Sequence, residues 1–425
     1  MVQILPIKGF RYNPKLPFSI DALTSPLFDV VSLKQRQALY RNSYNSIHVS
    51  VPPGPDPADS ARRTVEHWKR AGILLQDPLP GIYVYYQYFK LPGSSREYCR
   101  KGFMCHIKAY HWEEQVILRH ENTIPASVND RVELLEQTKM HTSATHGLFT
   151  DSSFTLERYM DESITSPIYE SEDYQGVRDV LSVIHDAEVI QKFVDLLKDQ
   201  QVILADGHHR YEGSLLYRKK MQQLHPDAAE DASFNYHLMY LTNAASDDLR
   251  ILPTHRLLET LPIAPEVFLE KMQEYFTLKP IEEAYELNDV IVGKQWAFGV
   301  YLNGEAYKAR LKPEVHMRLA WDIPQEVKDL DLTVMHYFIL EKVLGISQED
   351  QRKYPGLSYV RSFTECVAKV DAGKAQLALI TNEVKMEEVQ RVCRSGAVMP
   401  QKSTFFYPKV ICGYLFSSID ENEFY

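Results

Sequence analysis

The run VILADGHHRYEGSLLY, residues 202 to 217, constrains the fold more than any other part of the chain. Four apolar residues stop at an acid and a glycine, and a helical pattern starts directly behind two histidines and an arginine. A short apolar run bounded by a turn reads as a buried strand, and the period that follows predicts a helix to about Leu224. At such a junction the first-turn N–H groups lack intrahelical partners and point into the space above the strand end, where the helix dipole favours an anion. Gly207 lets the backbone turn tightly and lets a ligand approach closely. Arg210 supplies a planar fork of donors suited to phosphate or carboxylate. His208 and His209 can donate to the same oxygens or move protons. Asp206 either caps the helix or binds a metal, orients a hydroxyl or accepts a proton.

The rest of the chain alternates in the same α/β manner. ARRTVEHWKRAGILLQ carries a helical face of Ala61, Val65, Trp68 and Ile73, and IYVYYQYF and GFMCHIKAYHW read as paired strands across LPGSSREYCR. From 163 to 200 the pattern reads as helical, with DAEVIQKFVDLLKDQ its clearest part. Beyond Leu252 a helix at PEVFLEKMQEYF, a hairpin at WAFGVYLNGEAYKARL turning on Asn303-Gly304, further helices and strands, and a terminal strand KVICGYLFSSI are expected. With 425 residues, two units fit the length: 1–250 holding the DGHHR motif and 251–425 behind it.

Composition limits the partners. A net charge of −10 without any basic stripe argues against nucleic acid. Five scattered cysteines, never spaced as CxxC, signal neither a disulfide framework nor a zinc site and point to a reducing, cytoplasmic compartment. The N-terminus does not read as a signal peptide, and no window approaches the ~18 apolar residues that span a bilayer. A soluble protein acting on a small molecule is expected, with room for a homodimer.

Other candidate residues lie far away in sequence. RHENT ends an apolar run with His120 and Glu121, and Arg131 follows in NDRVELLEQTK; Glu121 suits a general base and Arg131 a second phosphate ligand. LPTHRLL offers His255 and Arg256 on a connection between the two units, where ligand sites often lie. Lys402 in QKSTFF could reach an anion, but it lacks the glycines of a P-loop. Each of these also has a plain reading as a cap, a core group or a solvated loop.

The chain resembles the uncharacterised bacterial and archaeal family named domain of unknown function 1015. The likeness runs almost end to end: KGFRYNP at 8–14, FDVVS at 28–32, YNSIHVSVP at 44–52, RHENTIPASVNDRVELLEQTK at 119–139, HGLFTD at 146–151, ILADGHHRYEGSLLYR, ILPTHRLL at 251–258 and MPQKSTFFYPK at 399–409. Phe28 departs from it, since the family more often carries a tyrosine there. DGHHRY is also similar to the phosphate-binding turn of the partition-protein B and sulfiredoxin fold, whose relatives include kinases of free serine. That resemblance implies a partition-protein B/sulfiredoxin-like α/β (α+β) core with a second α/β unit.

The expected activity is phosphoryl transfer from an ATP- or ADP-type nucleotide, with Mg²⁺, to a small hydroxyl compound. Asp206, Glu121 and His209 would be its catalytic groups. Gly207, His208, Arg210, His120, Arg131, His255, Arg256 and Lys402 would bind phosphate or substrate. Two other readings stand beside it: a non-catalytic nucleotide-binding regulator like the partition proteins, and a metal-dependent hydrolase using the histidines as ligands.

Overall fold

A computed structural model describes residues 1–173 and 175–425. The chain forms two units, Met1–Leu249 with Pro408–Tyr425, and Arg250–Tyr407. A second unit running unbroken to residue 425 is thereby corrected at its far end. The cause is apolar burial: Val410, Tyr414 and Leu415 lie in one cluster with Ile7, Tyr83, Tyr85 and Tyr240 of the first unit. The expected terminal strand over KVICGYLFSSI reduces to Ser417–Ser418, paired antiparallel with Met140–His141. Single bridges from Phe416 to Phe10 and from Cys412 to Ser25 hold the rest.

The first unit is built on a nine-stranded mixed sheet. Its strands are β1 (Ile4–Leu5), β2 (Ile82–Lys90), β3 (Glu97–Lys108), β4 (Ile117–Leu118), β5 (Thr145–Phe149), β6 (Tyr169–Glu172), β7 (Arg178–Ile184), β8 (Val202–Asp206) and β9 (Tyr236–Asn243). They lie in the order β4-β8-β5-β9-β3-β2-β7-β6, with β1 added to β3. Period-two alternation sends Tyr83 and Tyr85 of β2 to the face covered by the returning C-terminal segment, and Val84 and Tyr86 to the other. Helices α1 (Pro57–Arg70), α2 (Pro125–Thr138), α3 (Ala187–Lys198) and α4 (His208–Leu224) complete the scaffold. Phe193 and Leu197 of α3 and Tyr211 and Leu215 of α4 bury against the Val84 face. Each such side chain removed from water is worth roughly 1.5–3 kcal/mol.

The helical reading of 163–200 is also corrected. Only α3 obeys it, with the Asp186 carboxylate accepting from the N–H groups of Glu188 and Val189. Residues 178–184 form β7 instead, because DVLSVI can pair along β2 from Arg178↔Tyr88 to Ile184↔Ile82 and bury both faces. Tertiary pairing overrides the local period there.

The second unit carries β10 (His255–Leu258), β11 (Phe276–Ile281), β12 (Ala297–Leu302), β13 (Glu305–Leu311), β14 (Leu357–Val360) and β15 (Leu377–Ile380) in the order β11-β13-β12-β15-β10-β14. Asn303 and Gly304 turn the β12–β13 hairpin at φ 47° and 93°. The apolar segment after Leu330 starts as an α-helical turn and widens to a π-helix over Met335–Val343. All five cysteines are free thiols. Among the described residues, no helix is long and apolar enough to cross a membrane.

Candidate functional site

The junction singled out in the sequence folds as strand, turn and helix. Strand β8 lies between β4, parallel, and β5, antiparallel, and its register slips between Leu204↔Gly147 and Asp206↔His146. That bulge re-aims Asp206 at the strand end. Gly207 follows at φ 89°, ψ 29° and is the N-cap of α4, with no side-chain cap. A Cβ at Gly207 would stand 2.7 Å from Thr145 Cγ2 and 2.9 Å from Arg210 Nη2, so glycine is required for both conformation and space. Asp206 is therefore not the helix cap.

The Asp206 carboxylate joins two cations instead. Arg210 Nη2 donates to Oδ2 at 3.0 Å, and Lys409 Nζ, from the returning C-terminal segment, donates to Oδ1. Burial alone would raise the Asp206 carboxyl, but the Lys409 and Arg210 charges outweigh it and hold it well below the usual carboxylate range. A carboxylate so held is a weak base. Arg210 is likewise committed: Nη1 donates to Ser143 Oγ at 3.0 Å and to the Ala144 carbonyl at 2.6 Å. The expected open fork is thus turned inward and pins the 143–144 backbone to the helix start.

The histidines face the loop after β4. The His208 ring is buried edge-on against His120, with centroids 4.8 Å apart. Burial holds both imidazoles neutral, His120 at about 4 and His208 well below its ordinary value. As neutral rings each can still donate one N–H to an anion, but neither brings a positive charge to it. His209 Nε2 accepts from the Ile124 N–H at 3.0 Å, so that nitrogen carries no proton. Glu121, half-buried, follows His120 in the same loop.

Beside Arg210 a small cleft of about 40 Å³ opens between α2 and α4. Its polar lining includes Arg131, His141, Thr142, Ser143, Arg210 and His237, and Leu134, Leu135 and Met140 form an apolar side. Gly213 makes the arrangement possible, since a Cβ there would lie 3.3 Å from Arg131 Cβ and 3.6 Å from the Val132 nitrogen. Arg131 donates to Asp130 through Nε (2.8 Å) and Nη2 and to the Ser50 carbonyl through Nη1 (3.0 Å), and stacks on Phe28. His237 bridges Ser214 Oγ (2.7 Å) and Thr145 Oγ1 (2.9 Å), edge-on to His141. Burial keeps His141 at about 4 and His237 well below the ordinary imidazole value.

His255, Arg256 and Lys402 belong to the second unit. The expected loop at LPTHRLL is corrected to strand β10, buried between β14 and β15, because His255 through Leu258 bury at every position. His255 Nδ1 accepts from the Thr381 N–H at 3.2 Å, and Arg256 donates to His336 Nε2 at 3.2 Å and to the Thr254 carbonyl. Burial lowers the Arg256 guanidinium to about 10. Lys402 takes a left-handed φ of 57°, and its carbonyl accepts from Arg256 at 3.5 Å. His255 and Arg256 are thus buried among structural partners, whereas the Lys402 side chain is exposed.

Sequence reasoning missed Lys409, Ser143, Ser214 and His237. Lys409 closes the segment MPQKSTFFYPK, from which only Lys402 was taken; nothing in residue spacing pairs position 409 with 206. The fit to Mg²⁺ fails at Asp206, since each of its oxygens already meets a cation. Among the described residues no three His, Cys, Asp or Glu side chains converge to hold a metal ion.

Fold and site thus define a mixed α/β protein with a glycine-opened helix start beside a guanidinium-lined cleft. The chain belongs to the family described as protein of unknown function (DUF1015), whose model matches residues 4–333. Solved structures similar to it include a free serine kinase in complex with AMP, at 12% identity and TM-score 0.38, covering 76% of this chain and 93% of that one. A conserved hypothetical protein from Pyrococcus furiosus is similar at 13% identity and TM-score 0.37, covering 76% and 97%. SbnI with a C-terminal truncation, from Staphylococcus aureus, is similar at 11% identity and TM-score 0.36, covering 74% and 87%. No curated protein sequence matches.

Proposed function

We propose that the first unit binds the phosphates of a nucleotide at the Gly207 turn and transfers a phosphoryl group to a small hydroxyl compound. One observation carries the reading: a left-handed glycine, without a side-chain cap, opens a 17-residue helix at the end of a buried strand. Helix-start amides favour an anion, and phosphoryl transfer needs chiefly positioning and charge neutralisation. The acceptor oxygen forms its bond to the terminal phosphorus as the bond from phosphorus to the bridging oxygen breaks, and the hydroxyl proton passes to Glu121. Glu121 takes that role because the two cations on Asp206 leave it a poor base. Partition-protein B/sulfiredoxin kinship of the DGHHR turn belongs to this proposal, as does its kinase character.

The test is a thermal-shift series with ATP, ADP, AMP and inorganic phosphate, followed by calorimetry on the best ligand. Binding at a hundredfold excess over Kd adds about 2.7 kcal/mol, an easily read rise in Tm. If no nucleotide shifts Tm at millimolar concentration, the reading is wrong.

A further inference from the structure

Resting on the reading above, we propose that the cleft between α2 and α4 is the acceptor subsite and takes the carboxylate of a small hydroxy acid. A void of about 40 Å³ exceeds the 10–15 Å³ that one water occupies on this measure, yet is far too small for a base or a ribose. It accommodates an end group. That end group is anionic, because the donors around the cleft are not used up.

A guanidinium has five N–H groups. Arg210 gives two from Nη1 to Ser143 and Ala144 and one from Nη2 to Asp206. Its Nε is fully buried and has no hydrogen-bond partner, and the residue is nine-tenths buried in the cleft wall. Arg131 gives two N–H to Asp130 and one to Ser50. Each arginine thus retains two donors. Arg210 Nε is sealed from solvent, so the donors left for a ligand are one N–H on Arg210 Nη2 and two on Arg131.

The other polar neighbours sharpen the choice. Ser143 Oγ accepts from Arg210 and hydrogen-bonds to the Cys412 thiol, and Ser214 donates to the Arg210 carbonyl at 3.3 Å and accepts from His237. Arg210 also shares its counter-ion, since Asp206 meets both it and Lys409. A ligand with one negative charge and two planar oxygens matches these donors, and Leu134, Leu135 and Met140 suit a short carbon chain behind it.

The experiment is calorimetric titration of the full-length chain with glycolate, ethylene glycol, inorganic phosphate and ADP, on wild type, Arg131→Gln and Thr142→Val. Saturable glycolate binding in the millimolar range, none for ethylene glycol, and a loss of about tenfold or more in Arg131→Gln with ADP affinity unchanged are expected. Thr142→Val, in the cleft lining, tests the subsite should Arg131→Gln fail to fold; a loss confined to glycolate supports it. If ADP binds and glycolate does not, the subsite is refuted and the nucleotide reading stands. If glycolate binds and ADP does not, the subsite stands and the nucleotide reading falls. If phosphate displaces glycolate at equal concentration, the cleft is a general anion site and the carboxylate assignment is overturned.

Discussion

Replacing Asp206 with asparagine separates a structural carboxylate from a chemical one. The side chains of Asp206, Arg210 and Lys409 are 13%, 8% and 14% exposed, so solvent screens their attraction little. Asn keeps the shape but leaves two buried cations without their shared charge. Removing one partner from such an arrangement costs about 3–5 kcal/mol, a large share of the roughly 5–15 kcal/mol that holds a folded protein together. At about 2–4 °C per kcal/mol for a unit of this size, Tm should fall by roughly 6–20 °C. The pH dependence supplies a second signature. Asp206 has its folded pKa depressed, so its contribution is complete above the ordinary carboxylate range and disappears as pH falls below about 4. Wild type should show that acid limb and Asp206→Asn should lack it. Added sulfate should raise Tm of the variant more than that of wild type, because an anion replaces the missing counter-charge. The assay is thermal melting of both proteins across pH, with and without sulfate. A variant that melts within a couple of degrees of wild type, with turnover abolished, would refute the structural account and return Asp206 to the chemistry.

Gly207→Ala should lose roughly 1–3 kcal/mol in a urea titration, because its left-handed φ and the contact with Thr145 both oppose a Cβ; an unchanged midpoint would mean the turn can relax. The buried neutral imidazoles of His106, His120 and His141 have folded pKa values near 3, 4 and 4, below the ordinary 6.5. Their stabilisation is therefore full above pH 6.5 and falls as pH drops, on the order of 1.4 kcal/mol per pH unit for each, and a flat urea stability between pH 7 and 5 would contradict it. Glu121→Gln should abolish phosphoryl transfer while ADP affinity by calorimetry stays as in wild type; retained turnover would remove Glu121 as the base.

The strand, the glycine turn and the helix at VILADGHHR were legible because each follows from local rules: apolar run, permissive glycine, helical period. The Asn303-Gly304 hairpin was legible for the same reason. What the side chains do there was not. Arg210 turns inward because Ser143, Ala144 and Asp206 are set around it by sheet pairing and by the close approach of α2 at Gly213, neither of which has a local signal. The missed strand β7 has the same origin, since DVLSVI acquires its conformation from β2. His255 and Arg256 looked like a solvated pair because charged residues in a short motif suggest a surface. Burial of an arginine by strand neighbours and a histidine is not visible in spacing.

The return of the C-terminal segment also bears on the order in which the chain acquires structure during synthesis. Lys409 and the lid residues Val410, Tyr414 and Leu415 emerge from the ribosome after the whole of the second unit. Until then the first unit lacks the ammonium that faces Asp206 and leaves Tyr83, Tyr85 and Tyr240 without their cover. N-terminal domains ordinarily fold first as they are made. Here the contiguous second unit is expected to reach protease resistance while the earlier-made unit is still open, which proteolysis of stalled nascent chains of increasing length can read. Resistance of the first unit before residue 408 is made would exclude that order; otherwise the part of the protein synthesised first is the last to close.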